Sequence, residues 1–135
     1  MAERRKVMVF GTFDGVHEGH RDFFRQAAAH GDVIAVVARD ATVVQLKNKK
    51  ATYSEKERRT LVQKEKDVSY AVLGDEELSV YRVINDEHPD VICIGYDQKE
   101  LERDLRIWLK DKEEIEVIRL QAYLSDTFHS SLLKK

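Results

Sequence analysis

Two histidines three residues apart, His17 and His20, follow a short apolar run and a glycine-bearing turn in the stretch VMVFGTFDGVHEGH at residues 7–20. Val7, Met8, Val9 and Phe10 read as a buried strand, and Gly11 ends it where a side chain would obstruct close approach. If a helix has begun by His17, the two imidazoles share one of its faces. From there they can donate hydrogen bonds to a pentavalent phosphoryl group without being its nucleophile. The plainer account is that His17 caps the helix and His20 is a half-buried residue with its partners satisfied. Lysines weigh against that account alone. Lys47 is the preferred mobile counter-charge for a transferring phosphate, because a compact ammonium on a flexible stem can follow moving negative charge. Lys49 and Lys50 stand in reserve, and a solvated surface loop is the competing account of all three.

A second candidate segment, Gly95-Tyr96-Asp97-Gln98, follows the apolar run Val91-Ile92-Cys93-Ile94 and is expected to line a nucleotide or acceptor pocket. Asp97 can hold a ribose hydroxyl, a base amino group or a magnesium-bound water, and the sequence leaves these three open. Cys93 lies among apolar strand residues and reads as an inert core thiol.

These residues need elements to bring them together. Apolar runs predict strands at 6–10, 33–38, 69–73, 91–94 and 115–119. Amphipathic spacing predicts helices at 19–30, 54–66, 78–87 and 101–111, as in Phe23, Phe24, Ala27 and Ala28 or Leu101, Leu105, Trp108 and Leu109. Ser54 with Glu57 forms a candidate capping box, and His88-Pro89 ends the third of these helices. Strands separated by helices imply a mostly parallel five-stranded sheet covered on both faces, a Rossmann-like α/β/α sandwich in one domain over residues 1–135. The ligand crevice of such a sheet lies at the carboxyl ends of its strands. Residues 11–20, Arg39-Asp40 and 95–97 all fall at such ends.

Composition narrows the classes. The 135 residues carry 23 Lys plus Arg against 25 Asp plus Glu, a formal net charge of −2, which does not suggest general binding to nucleic acid or anionic membrane. One cysteine allows no internal disulfide and makes a reducing, cytoplasmic compartment the default. No apolar stretch approaches the roughly 20 residues that cross a bilayer, and the opening MAERRK runs at once into strand residues, leaving no room for a signal peptide. A metal-only site lacks ligands, since His17 and His20 would need further donors and no cysteine pairs exist.

The run Gly11-Thr12-Phe13-Asp14-Gly15-Val16-His17-Glu18-Gly19-His20 resembles the His-x-Gly-His signature of the cytidylyltransferase-like nucleotidyltransferases, and the resemblance extends over essentially the whole chain. Its flavour is that of the compact branch holding glycerol-3-phosphate cytidylyltransferase and the archaeal type of FAD synthase. Val37-Ala38-Arg39-Asp40, Leu46-Lys47, Glu57-Arg58-Arg59 and Ile94-Gly95-Tyr96-Asp97-Gln98 resemble the latter. The resemblance implies a divalent ion such as Mg2+, and attack by a phosphate monoester on the α-phosphorus of ATP or CTP with release of pyrophosphate. It assigns His17, His20 and Lys47 to catalysis, with Gly11, Thr12, Phe13, Asp14, Gly19, Arg58, Gly95, Tyr96 and Asp97 around nucleotide or substrate. Asp14 holds the turn by local hydrogen bonds, and Lys66 stands where relatives often have arginine.

In the C-terminal stretch the resemblance places Leu124, Ser125 and Thr127 on an isoleucine, serine, serine, threonine motif. Asp126 replaces one serine, Phe128 takes the usual basic position, and His129 follows it. Ser125 and Thr127 are thereby expected to hold a phosphate at a helix start. The resemblance also implies a homodimer. For the acceptor, FMN with ATP leads, since Tyr96, Tyr123 and Phe128 offer aromatic surface for a flavin ring. The alternatives are CTP with glycerol 3-phosphate or a similar small ester, and a non-catalytic nucleotide-binding relative.

Overall fold

The apolar runs become five strands of one sheet in the computed structural model, which describes residues 4–122. In chain order the elements are β1 (Lys6–Gly11), α1 (Glu18–Ala28), β2 (Asp32–Val37), α2 (Asp40–Lys47), α3 (Glu55–Gln63), β3 (Tyr70–Leu73), α4 (Arg82–Glu87), β4 (Val91–Ile94), α5 (Lys99–Trp108) and β5 (Glu116–Arg119). The strand order is β3-β2-β1-β4-β5, and each neighbouring pair runs parallel. Parallel strands need crossovers, and the helices that supply them cover both faces.

Alternation along each strand divides the core in two. Val7 and Val9 point with Val33, Ala35 and Val37 toward Phe24 and Ala27 of α1 and Val62 of α3. Met8 points the other way, with Val36 and Ile92, toward Val83 and Ile84 of α4 and Leu105 of α5. Both β1 faces are therefore apolar, as a central parallel strand requires. Truncating Phe24, 1% exposed, to alanine would cost about 3–5 kcal/mol.

The strand order reverses between β1 and β4, since the chain travels from β1 out to β3 on one side and returns to β4 and β5 on the other. That reversal opens the crevice in which doubly wound sheets hold their ligands. Gly11 ends β1 at one lip, and Gly95 follows β4 at the other.

Two elements differ from the sequence expectation. Residues 40–47 form α2, a helix not anticipated because Thr42, Val43 and Val44 are β-branched and intrinsically weak in helices. Its start is satisfied from a distance, the Asp40 N–H donating to Glu55 Oε1 at 2.9 Å. The helix expected at 78–87 begins only at Arg82. Ser79 and Tyr81 take left-handed backbone, φ 62° and 52°, which no helix continues. The Ser54–Glu57 capping box is present in both directions, and α4 stops before His88-Pro89.

Candidate active site

The turn after β1 is built around Phe13. Its φ of 51° folds the ring back beneath Gly11, where a Cβ would stand 2.5 Å from Phe13 Cζ. Gly11 is thus required by the chain's own aromatic ring before any ligand arrives. Phe13 packs on Phe24 with ring centroids 5.1 Å apart and meets His20 edge-on at 5.4 Å. The histidine therefore stands on a packed apolar floor.

His17 caps α1, its Nδ1 accepting from the Gly19 N–H at 3.1 Å. The His17 N–H in turn donates to His20 Nδ1 at 3.2 Å, and the two rings stack with centroids 3.9 Å apart. An imidazole whose Nδ1 accepts carries its remaining proton on Nε2, so these hydrogen bonds assign both rings as Nε2–H donors. Capping thus occupies the Nδ1 of each ring and leaves its Nε2–H as the donor. Burial, reinforced by the nearby charges of His17 and Lys47, lowers the pKa of His20 to about 4, while Asp97 pulls the other way. At neutral pH His20 is an uncharged donor.

Asp14 lines the same cleft, but its carboxylate does not stay within its own turn. It accepts from the backbone N–H groups of Thr52 at 2.7 Å and Tyr53 at 2.9 Å, 38 and 39 residues away. The bond from Thr52 is the main reason its pKa is lowered. Arg58 completes this strap from α3. Fully buried, it donates to the carbonyl oxygens of Tyr53, Thr12 and Ala38 and to Asp40 Oδ1, at 3.0, 2.9, 2.8 and 2.7 Å. Four of the guanidinium donors are thus committed to protein acceptors, and Arg58 does not line the cleft. Its place is behind the wall, pinning the β1 turn to the end of β2.

Among the lysines the structure discriminates. Lys47, at the end of α2, lines the cleft with His17 and His20, whereas Lys49 and Lys50 do not. Asn48 accounts for this by taking left-handed backbone, φ 56°, which ends the helix and turns the chain away. On the opposite lip the Gly95 N–H donates to Gln98 Oε1 at 2.8 Å, and Gln98 Nε2 donates to the Phe10 carbonyl at 2.9 Å. Gln98 so ties the ends of β4 and β1 together, while Tyr96, 53% exposed, and Asp97 are left facing the cleft. Burial pushes the Cys93 thiol up to about 12, in keeping with an inert core cysteine.

The cleft holds about 850 Å3. Thr12, Gly19 and Gly95 line it as expected, but much of its surface comes from residues that sequence reasoning missed: Phe10 and Val36 on the sheet, Thr42 and Leu46 on α2, and the stretch 74–81 between β3 and α4. This last wall is fastened to α5 by Ser79 and Tyr81, whose hydroxyls both donate to Asp104 Oδ2, at 2.6 and 2.5 Å. A signal did exist, because Gly74-Asp75 follows the apolar run 71–73 just as Gly11 and Gly95 follow theirs. Ser125 and Thr127, together with Tyr123 and Phe128, lie outside the described residues. Gln121 brings the chain to the cleft's edge, exchanging hydrogen bonds with Gln26 at 2.9 and 3.0 Å.

No group of three or more His, Cys, Asp or Glu side chains suited to a metal occurs among the described residues. Magnesium in phosphate chemistry is commonly held by one or two carboxylates and by the substrate's own phosphates, so a protein cage is not required. Asp97, whose charge acts on His20 and which, among the described residues, has no backbone bonds like those that occupy Asp14, fits that role.

The profile described as cytidylyltransferase-like matches residues 8–134, spanning the histidine turn, Lys47 and the Gly95 lip alike. The chain belongs to the cytidylyltransferase-like family. It is 42% identical over 123 residues to an FAD synthase of Aciduliprofundum boonei, covering 87% of this chain and 79% of that one. An FAD synthase of Thermoplasma acidophilum is 34% identical over 132 residues, covering 96% and 92%. Among solved structures, a lipopolysaccharide core biosynthesis protein from Thermoplasma volcanium superposes with a TM-score of 0.80 at 29% identity, over 90% of this chain and all of that one. Membership makes this cytidylyltransferase-like protein a nucleotidyltransferase. His17 and His20 both line its cleft. Among the described residues no helix is long and apolar enough to cross a membrane.

Proposed function

We propose that the protein transfers AMP from ATP to FMN, forming FAD and releasing pyrophosphate. The observation that carries this reading is that one cleft is lined both by His17, His20 and Lys47 and by the apolar residues Phe10, Val36, Leu46 and Leu78. The first group suits a triphosphate, and the second suits a flat ring better than a small polyol phosphate.

The FMN phosphate is already ionised near neutral pH, so an oxygen of it attacks the α-phosphorus without a strong general base. A new Pα–O bond forms as the bond from Pα to the bridging oxygen of pyrophosphate breaks, and that oxygen leaves with the electron pair. Two anions must meet, so catalysis is positioning and neutralisation. His17 and His20 donate to oxygens of the α- and β-phosphates, the α1 N-terminus adds its partial positive charge, and Lys47 follows the charge as it moves. Mg2+ held by Asp97 and the phosphates would supply further neutralisation. Thr12, Phe13 and Gly19 shape the turn, and Gly95 and Tyr96 flank the nucleotide. Ser125 and Thr127 are retained as phosphate ligands on the resemblance of their motif.

We further take residues 1–135 as one catalytic domain working in the cytoplasm as a homodimer, a state that light scattering at tens of micromolar protein checks. A monomer mass would remove it. The test of the reaction is a matrix of ATP and CTP against FMN, glycerol 3-phosphate, phosphocholine and pantetheine phosphate, read by magnesium-dependent pyrophosphate release and product mass. FAD from ATP and FMN is the expected product. Activity with CTP and a small polyol phosphate alone would overturn the choice of substrates and leave the phosphate site standing.

A further inference from the structure

Three polar or charged residues are buried among the described ones: Arg58, Glu102 and Thr42. Arg58 is satisfied by its four acceptors, and Glu102 accepts from Arg106 and Arg119. Thr42, 9% exposed, is not satisfied; its Oγ1 has no hydrogen-bond partner among the described residues. A helical threonine ordinarily turns its hydroxyl to a carbonyl three or four residues back. Four back from Thr42 is the Ala38 carbonyl, which accepts from Arg58 at 2.8 Å and which Thr42 does not share. Buried side-chain polar atoms are seldom left unpaired, and an exception calls for a group that completes the bonding. Valine stands at the next two positions, so the helix accepts β-branched apolar residues here, yet position 42 keeps a hydroxyl.

The position of Thr42 says what could complete it. Thr42 lines the cleft, one turn before Leu46 on the same face of α2. The same cleft has an apolar part of its lining, with Phe10 and Val36 paired in register across β1 and β2 and Leu46 and Leu78 exposed. Lys47 follows Thr42 by five residues, a rise of about 7.5 Å along the helix axis. Both residues line the one cleft, so a ligand that meets Lys47 with its phosphate has Thr42 within the same cavity.

We propose that the Thr42 hydroxyl hydrogen-bonds a polar edge atom of the acceptor's ring, which makes it a specificity-determining residue for phosphate monoesters that carry a flat heteroaromatic group. The hydroxyl is buried as it stands, and threonine in a helix has two accessible χ1 wells, so binding of the ring is accompanied by a rotamer change at Thr42. The proposal rests on transfer to a phosphorylated acceptor as argued above, and it adds how the ring is told from a simple chain. An apolar wall alone discriminates weakly, whereas a hydroxyl awaiting a partner penalises ligands that cannot supply one.

The test compares Thr42→Val, which keeps the shape and removes the hydroxyl, with Thr42→Ser, which keeps the hydroxyl. Steady-state KM is measured for FMN and for ATP, and equilibrium FMN binding is followed separately by quenching of flavin fluorescence. The expected result for Thr42→Val is FMN affinity weaker by about tenfold, the scale of one lost hydrogen bond. Its ATP KM should move less than about twofold on the same scale. Thermal unfolding of Thr42→Val should be unchanged or raised, because an unpaired hydroxyl has left the interior, and Thr42→Ser should bind FMN like the parent. Unchanged FMN affinity in Thr42→Val, or equal losses for FMN and ATP, would overturn the proposal. If the parent binds FMN but forms no FAD, the transfer reading fails, and the binding comparison still decides the role of Thr42. If the parent does not bind FMN at all, the proposal fails with it.

Discussion

The two halves of the cleft are held in different ways. On the phosphate side each imidazole is fixed by the backbone beside it: His17 by Gly19, His20 by His17, and the turn beneath them by Phe13 and Arg58. On the side proposed for the acceptor, the wall at 74–81 contains two residues with left-handed backbone; side-chain hydroxyls tie its far end to Asp104, and Arg39 holds the Gly74 carbonyl at its near end. Leu46, 62% exposed, also lines the cleft. Chemistry shared by every substrate of a nucleotidyltransferase can be preorganised once, whereas recognition of one acceptor is written into side chains that change without disturbing the turn. A rigid phosphate half and a re-lined acceptor half are what one fold needs to serve several acceptors.

The largest effect expected from breaking this contrast is at Arg58. Replacing it by methionine leaves three carbonyls and Asp40 without their donor, and we expect a loss of about 3–5 kcal/mol in denaturant unfolding. A change below about 1 kcal/mol would mean the strap does not hold the phosphate half together.

The histidines come next. His17→Ala or His20→Ala should lower kcat by about 10²-fold or more, with far-UV circular dichroism retained, as when transition-state donors are lost. His17→Asn sharpens the point, because asparagine caps a helix well and has no Nε2–H. It should match the parent in stability and still lose turnover. If His17→Asn restored activity, capping alone would be the role of His17.

Lys47→Ala should lower kcat by about tenfold, the scale of one mobile charge in a partly solvated site, and Lys49→Ala should stay within about twofold. The reverse order would move the counter-charge beyond Asn48.

A further contrast is in pH. With the folded pKa of His20 near 4 against an ordinary 6.5, the unfolded chain binds its proton first as pH falls. The contribution of His20 to stability is therefore complete above pH 6.5, declines between 6.5 and 4, and is constant below. Imidazole NMR shifts should titrate near pH 4, and His20→Gln should flatten that part of the stability profile. A midpoint near 6.5 would mean that the ring is not desolvated on its Phe13 floor.

Sequence made the phosphate half legible because its constraints are local. The strand at 6–10, the glycine after it and the histidine spacing all fall within fifteen residues, and periodicity gave the sheet and its parallel sense. What sequence did not disclose was long-range. Asp14 reads as a turn-holding carboxylate, yet it reaches Thr52 and Tyr53. Arg58 reads as a substrate ligand because its charge is visible and its four protein acceptors, two of them in other segments' carbonyls near the turn, are not. The helix α2 was hidden by β-branched residues whose packing outweighs their propensity, and the wall at 74–81 by apolar spacing that imitates a helix. Thr42 had no signal at all, since an unsatisfied hydroxyl is a property of surroundings.

The central claim is that the protein directs an acceptor phosphate to the α-phosphorus of ATP across the paired histidines. Incubation with FMN, Mg2+ and ATP labelled at either the α- or the γ-phosphorus tests it most directly. The account predicts the α label in a flavin product of FAD mass and the γ label in pyrophosphate, with both losses of label transfer following His17→Ala. Transfer of the γ label to the flavin, or release of the α label with no flavin product, would contradict it.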